Sequence, residues 1–249
     1  MKASNLVTSS PAGSGPAVTL YQLPRAYGLP VSVSPFCVKL EAYFRLAGID
    51  YVSKLGEHRR APLGKLPYIE FEGRLMGDSG LIIEWAQARF GDRLDGSLTQ
   101  DQRLRGLLIR RAFEEHLYFG LLYSRFIDER GWEQQAPVLA GMLPRGLGRI
   151  AGPVVRRLVR ANLRAQGLGR LTRHQVYSAA AADVFAAAAE LGPRPYLFGD
   201  EPTSFDCVVY GMMQHVLVTP FETALTDAAR SAPGMKAYVA RMRDRLGFD

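Results

Sequence analysis

Ser34-Pro35-Phe36-Cys37-Val38-Lys39-Leu40-Glu41-Ala42-Tyr43-Phe44 is the stretch whose reading decides the fold. Proline has a fixed φ and no amide hydrogen, which suits Pro35 to the first position of a helix. Ser34 then falls at the N-cap, where its hydroxyl can accept a bond from an orphan backbone N–H. Cys37 lies in the first turn, where free amides and the helix dipole favour a nearby negative charge. Phe36, Val38, Leu40, Tyr43, Phe44 and Ala47 give the helix a buried side, and Gly48 closes it. A hydroxyl and a thiol at a helix start make a place where a sulfur anion can be held.

Upstream, Val18 to Leu23 reads as a strand, and Pro24 to Val33 as the loop that delivers the chain to Ser34. Residues 1–16 are rich in Ser, Gly, Ala and Pro with little to bury, the composition of a mobile tail. Downstream, Tyr51 to Lys54 is a second strand, giving a βαβ start. Leu66 to Phe71 and Arg74 to Met76 read as two more strands, joined at Glu72-Gly73 in a tight hairpin. Asp78-Ser79 caps a helix from Gly80 to Arg89. Gly91 to Thr99 is a polar linker, so an α/β domain is expected over 17–90 and an all-helical one over 99–249. In that second part, Asp101 to Arg130 carries one long helical pattern and Gly141 to Pro153 a Pro/Gly-rich bend. A basic helix runs on to Gln166, and Arg173 to Leu191 is alanine-rich and helical by propensity. Asp206 to Val218 and Met235 to Arg245 are the last two helices.

Composition bounds what such a chain does. At 249 residues and 47% hydrophobic it suits a soluble protein of one large or two modest domains. The net charge of +7, mostly arginine, suits anionic ligands or surfaces without bearing on fold. Cys37 and Cys207 stand far apart in unlike contexts, so neither a disulfide framework nor a zinc pattern is available, and a reducing compartment fits. Met1 to Leu6 lack the charge and apolar run of a leader, and no apolar stretch approaches a membrane span, so a cytoplasmic location is expected. His116 has no second ligand at metal spacing, and no metal is assigned.

Two further features bear on ligands. Pro67 follows Leu66 at a strand start, where proline donates no ladder bond. A cis bond there leaves the Leu66 backbone free to pair with an extended, peptide-like ligand; a trans proline at a strand edge is the plain alternative. At the start of the next helix, Ser79 can bind a carboxylate and Asp78 an amine, with a simple N-cap as the plain alternative.

Taken together, SPFC at a helix start, then KLPYIEFEG, then GDSGLIIEWA resemble the thioredoxin-like N-terminal domain of the glutathione S-transferase superfamily. The resemblance implies glutathione as co-substrate. It puts Ser34 beside the sulfur, Lys65, Leu66 and Pro67 along the cysteinyl backbone, and Asp78 and Ser79 at the γ-glutamyl end. Arg59, Arg60 and Lys65 lie where the glycyl carboxylate would be met. Cys37 aligns with the second cysteine of a glutaredoxin-type CPYC motif whose first is Ser34 here, so dithiol chemistry is not expected. Cys37 itself has three readings: an inert buried thiol, a thiolate that reacts with glutathione, or a redox-sensitive bystander. Two departures stand out: the Pro24 to Val33 loop is long, and Asp78 is one methylene shorter than the usual Glu or Gln.

The C-terminal half resembles the metaxin/failed-axon-connections branch of that superfamily, through Gln166-Gly167-Leu168-Gly169-Arg170, Pro195 to Asp206 (PYLFGDEPTSFD) and Tyr238 to Met242. Thr203 and Asp206 have the spacing of a reciprocal N-cap, which makes Asp206 a folding residue. Tyr118 and Tyr123, with Phe119, Phe126 and Trp132, are candidates for the wall of an apolar co-substrate pocket; about half of such aromatics are core. From Gln134 to Ala182 there is no Asp or Glu, while eight arginines fall within it. Arg156, Arg160 and Arg164 recur every four residues on one helix face. An anionic membrane surface ranks above nucleic acid as an interpretation of that face, and a solvated surface above both.

The expectation is therefore a thioredoxin-like α/β domain followed by an all-α transferase-type domain. The expected partners are glutathione and an apolar electrophilic small molecule, with a homodimer compatible and no nucleic acid; contact with a membrane surface is compatible but not the expectation. The leading function is conjugation. Its rivals are a non-catalytic interaction or membrane-associated protein and a Cys-dependent thiol transferase.

Overall fold

The N-terminal region alternates strand and helix before it pairs two strands in a hairpin. The computed structural model describes residues 18–142 and 148–248, without the side chains of 148–150. The expected tail, Arg145 with the rest of 143–147, and the Arg149 side chain lie outside the described residues. Strand β1 (Val18–Gln22) leads by the 24–33 loop into α1 (Pro35–Leu46), then β2 (Tyr51–Leu55), β3 (Tyr68–Phe71), β4 (Arg74–Gly77) and α2 (Ser79–Phe90). The sheet order is β2-β1-β3-β4, with β1 and β2 parallel and the other pairs antiparallel. Glu72 and Gly73 both take positive φ, 50° and 75°, as a two-residue hairpin turn requires.

Side chains along β1 alternate between the two faces of the sheet. Val18 and Leu20 enter the main core with α1, while Tyr21 points to the opposite face. There it stacks on its cross-strand partner Tyr68 at 4.6 Å, with Ala61 and Leu66 packed alongside.

The helical part comprises α3 (Gln100–Ala112), α4 (Tyr118–Phe126), α5 (Glu129–Gly141), α6 (Gly148–Gln166), α7 (Arg173–Leu191), α8 (Ser204–Leu217), α9 (Ala224–Ser231) and α10 (Met235–Leu246). The long helix expected from Asp101 to Arg130 is in fact three segments. A π turn, Phe113–Leu117, separates α3 from α4, and Asp128 starts α5 by accepting from the Arg130 amide at 3.1 Å. Gly131 allows that second break: a Cβ there would sit 1.7 Å from the Ser124 carbonyl oxygen. Helix α9 was not anticipated, being short, about two amphipathic turns after a Thr-Pro-Phe loop.

Helix α8 joins the two parts. Every residue from Asp206 to Val216 is buried, and it crosses α1 at Gly211. A Cβ at Gly211 would lie 2.6 Å from the Pro35 carbonyl and 3.1 Å from the Lys39 amide nitrogen. Asp206 is fully buried and plays the expected folding role. Its carboxylate accepts from the Thr203 amide (2.8 Å) and hydroxyl (2.7 Å), the Leu197 amide (2.9 Å) and the Tyr238 hydroxyl (3.1 Å).

Candidate functional site

Ser34 has extended backbone (φ −101°, ψ 124°) and caps α1, its Oγ accepting from the Cys37 amide at 3.4 Å. It is half-buried, and among the described residues its hydroxyl donates to nothing. The loop before it is anchored to the helical part, which settles where the long 24–33 segment goes. His215 Nε2 lies 2.9 Å from the Ser32 carbonyl, and the Tyr27 hydroxyl donates to Gln135 Oε1 at 2.9 Å.

Cys37, one turn into α1, is fully buried, and burial pushes its thiol up to about 11. A thiol that is protonated at neutral pH and out of contact with solvent is a poor nucleophile. Of the three readings of Cys37, this placement matches the inert core thiol. Ser34 and Cys37 are therefore placed differently: one is half-buried at the helix start, the other lies in the core. Tyr21 faces the far side of the sheet, its hydroxyl donating to Glu70 at 2.8 Å, so it lies away from the helix start.

Ser79 is buried at the start of α2, and its Oγ accepts from Lys39 Nζ at 3.1 Å. Lys39 in turn pairs with Glu114 Oε1 at 2.5 Å. Burial pushes the Lys39 ammonium below the ordinary lysine range, and the Glu114 carboxylate opposes that shift. Glu114 also accepts from Arg110 Nε at 3.1 Å, and Arg110 lies so close over the α2 start that a Cβ on Gly80 would meet its Nη2 at 1.9 Å. These three charged residues were missed in the sequence. The legible signal was Lys39, a lone charge on the stripe shared by Phe36 and Tyr43. The π turn that carries Glu114 had no such signal.

Asp78 is exposed, with a positive φ of 70°, and its Oδ1 accepts from the Gly80 (2.8 Å) and Leu81 (3.1 Å) amides. The shortened side chain thus caps its own helix, an arrangement in which one carboxylate oxygen is engaged before any ligand amine arrives. The Leu66–Pro67 bond is cis. The β3 ladder begins at Tyr68, so Leu66 stands just outside it, half-buried, with Lys65, Arg59 and Arg60 exposed beside it.

The two candidate pocket tyrosines part company. Tyr118 packs edge-on against Phe36 with ring centroids 4.8 Å apart, at the start of α1. Tyr123 turns instead to Tyr177 (5.9 Å) and packs with Leu163, Leu168 and Val176, so it is a core residue of the bundle. The reason is rotation: five residues along a helix turn the side chain by about 500°, away from the Tyr118 face. The arginine stripe on α6 divides in the same way. Arg156 donates to the Phe126 and Ile127 carbonyls and to Glu129, while Arg160 and Arg164 are exposed. His116 Nδ1 lies 2.6 Å from Asp183 Oδ2. Among the described residues no group of three His, Cys, Asp or Glu could hold a metal, and no helix is long and apolar enough to cross a membrane.

Residues 35–131 match the family model of the glutathione S-transferase N-terminal domain, and residues 180–242 that of the C-terminal domain. The chain is 30% identical over 233 residues to isoprene-epoxide–glutathione S-transferase of Rhodococcus sp. (strain AD45), covering 91% of this chain and 98% of that one. It is 28% identical to Failed axon connections of Drosophila melanogaster, covering 92% of this chain and 57% of that one. Among solved structures, rice GST1 in complex with glutathione superposes with a TM-score of 0.60 at 15% identity, over 94% of this chain and 90% of that one.

Proposed function

The chain belongs to the glutathione S-transferase family, and from that premise we propose that it binds reduced glutathione at the start of α1 and conjugates it to an electrophilic small molecule. The observation that carries this reading is Ser34: a half-buried N-cap hydroxyl whose own hydrogen is uncommitted among the described residues. Glutathione supplies a thiol whose sulfur bonds to the electrophilic carbon as a carbon–heteroatom bond breaks: a halide departs with the electron pair and the thiol proton passes to water, whereas an epoxide oxygen keeps the pair, stays on the product and takes up a proton. Ser34 donates to the sulfur and, with the positive end of the α1 dipole, favours its ionised form. A free thiol is only a few per cent ionised at pH 7, so a two-unit depression raises the thiolate roughly tenfold or more. Leu66 offers backbone groups beyond the end of the β3 ladder, and Ser79 with Lys39 offers a cationic, hydrogen-bonding end for a carboxylate. Tyr118 and Phe36 bound the space where the electrophile sits.

Calorimetry with reduced glutathione, followed by turnover assays with an epoxide and an aromatic halide, tests the reading. The epoxide is included because the Rhodococcus relative is named for one. Wild type should bind glutathione and turn over, and Ser34→Ala should lose about tenfold or more of kcat, the worth of a charge-assisted hydrogen bond. No binding at millimolar glutathione contradicts it.

A second reading is favoured by α6. Its exposed Val154 and Leu158 lie beside exposed Arg157 and Arg160, in a stretch without acids from Gln134 to Ala182. Such a face suits an anionic bilayer surface. Vesicle binding that rises with anionic lipid and falls with salt supports it, and equal behaviour on neutral vesicles removes it.

A further inference from the structure

The conjugation reading leaves the second substrate unnamed, and one residue of the helical part narrows it. Arg125 lies on α4 seven residues beyond Tyr118, two turns along the same face. It is only 5% exposed, and among the described residues no carboxylate pairs with it. Its Nη2 donates to the His215 carbonyl at 2.9 Å, and its Nε has no hydrogen-bond partner among the described residues. The guanidinium carbon lies 4.7 Å from the Phe221 ring centre and 5.5 Å from that of Tyr27. Rings attract a cation but leave its in-plane N–H groups unbonded.

The contrast within the same molecule is informative. Lys39, equally buried, has Glu114, and the buried carboxylate of Asp128 has Arg173. A guanidinium does not shed its proton, so burial without a counter-charge is costly unless a ligand brings one. Arg125 is also linked by its neighbours to the start of α1. Tyr118 on its face touches Phe36, Tyr27 over it belongs to the loop that feeds Ser34, and His215 beside it holds the Ser32 carbonyl.

We propose that Arg125 is an anion-binding residue of the second-substrate site, and that the electrophile conjugated here carries a carboxylate. The proposal rests on the conjugation reading for the word electrophile, but not for the anion site itself. A ligand carboxylate takes the free Nε–H and displaces the Tyr27 ring, whose hydroxyl is held to the helical part by its bond to Gln135.

The test uses the full-length protein and two matched pairs of probes. Calorimetry compares benzoate with its neutral counterpart benzamide, and kinetics compares 4-(chloromethyl)benzoate with the corresponding amide. In the kinetic pair, glutathione sulfur bonds to the benzylic carbon, chloride leaves with the bonding electrons, and the thiol proton goes to buffer. Wild type should favour the acid of each pair by about tenfold or more. The preference should collapse in Arg125→Gln and survive in part in Arg125→Lys. Equal affinity for benzoate and benzamide, no benzoate binding at millimolar concentration, or an acid preference that persists in Arg125→Gln overturns the proposal. If Arg125→Gln does not fold, the wild-type comparison and the Arg125→Lys protein decide. Glutathione titrated in the same cell keeps the two claims apart: benzoate binding without glutathione binding sinks conjugation and leaves the anion site standing.

Discussion

The ammonium of Lys39 and the carboxylate of Glu114 form a buried ion pair across the two parts of the molecule, at 2.5 Å, with the same ammonium donating to Ser79. Lys39 lies five residues into α1 from Ser34, about 7.5 Å along the helix axis. Helix α1 thus presents Ser34 at its start and, a turn and a half on, the lysine that reaches the α2 start. Whatever binds at Ser79 meets a hydroxyl already polarised by a cation that the helical part holds in place.

That pair is open to a double-mutant cycle. Removing one partner leaves the other charge buried and alone, and Lys39→Met or Glu114→Gln should each cost about 3–5 kcal/mol. The double variant should lose less than the sum of the two single losses in chemical denaturation, by a coupling of ~2 kcal/mol or more. Additive losses would mean that the two residues act separately.

Cys37 yields a chemical prediction. Both cysteines are buried, and the Cys37 thiol is pushed up to about 11. Native protein should react negligibly with a thiol reagent at pH 7–8, and both thiols should become reactive on denaturation. Cys37→Ser should leave most glutathione-dependent turnover in place. A thiol that reacts within seconds in the native protein, or a mixed disulfide with glutathione on Cys37 by mass spectrometry, would restore the thiol-transferase reading.

Gly211 tests the coupling of α8 to the candidate site. A methyl group there must displace the Pro35 carbonyl, which it would meet at 2.6 Å. Backbone cannot swing aside as a side chain does, so Gly211→Ala should cost about 1–3 kcal/mol. Because the displaced atoms belong to the first turn of α1, glutathione affinity should fall along with the thermal midpoint. A stable variant with unchanged affinity would show that the α1 start moves independently of α8.

Much of this was legible beforehand because local chemistry dictated it. Ser34-Pro35 suits a helix start, Glu72-Gly73 suits a hairpin turn, and Thr203 with Asp206 fit a reciprocal cap at their spacing. What escaped notice depended on partners distant in sequence. Lys39 is an ordinary surface residue by type until Glu114 arrives from 75 residues away. The division of Tyr118 from Tyr123 follows from their five-residue spacing, but which of the two meets the α1 start required the phase of α4, which the π turn resets. Arg125 looked like one more basic residue in an arginine-rich chain. Its significance lies in having no carboxylate partner among the described residues, which cannot be read from one segment.

His215 carries the pH prediction, and here two influences oppose each other. Its Nδ1 and Nε2 both face carbonyl oxygens, of Gly211 at 2.7 Å and Ser32 at 2.9 Å, which favours a ring protonated on both nitrogens. Complete burial and the neighbouring Arg125 cation favour the neutral ring, and they prevail, pushing its pKa down to about 3. The unfolded value is near 6.5. Between these values the unfolded chain binds a proton that the folded one does not, so stability rises with pH through that window. This contribution is fully present above about pH 6.5 and is lost as pH falls toward 3, at a limiting slope of about 1.4 kcal/mol per unit. Denaturation measured from pH 7 to pH 4 should therefore be shallower in His215→Gln than in wild type, once each is normalised to its own pH 7 stability. A wild-type slope no steeper than that of the variant would mean that the two carbonyls keep the ring charged. The loop that leads to Ser34 would then hang from an imidazolium, set against the cation of Arg125.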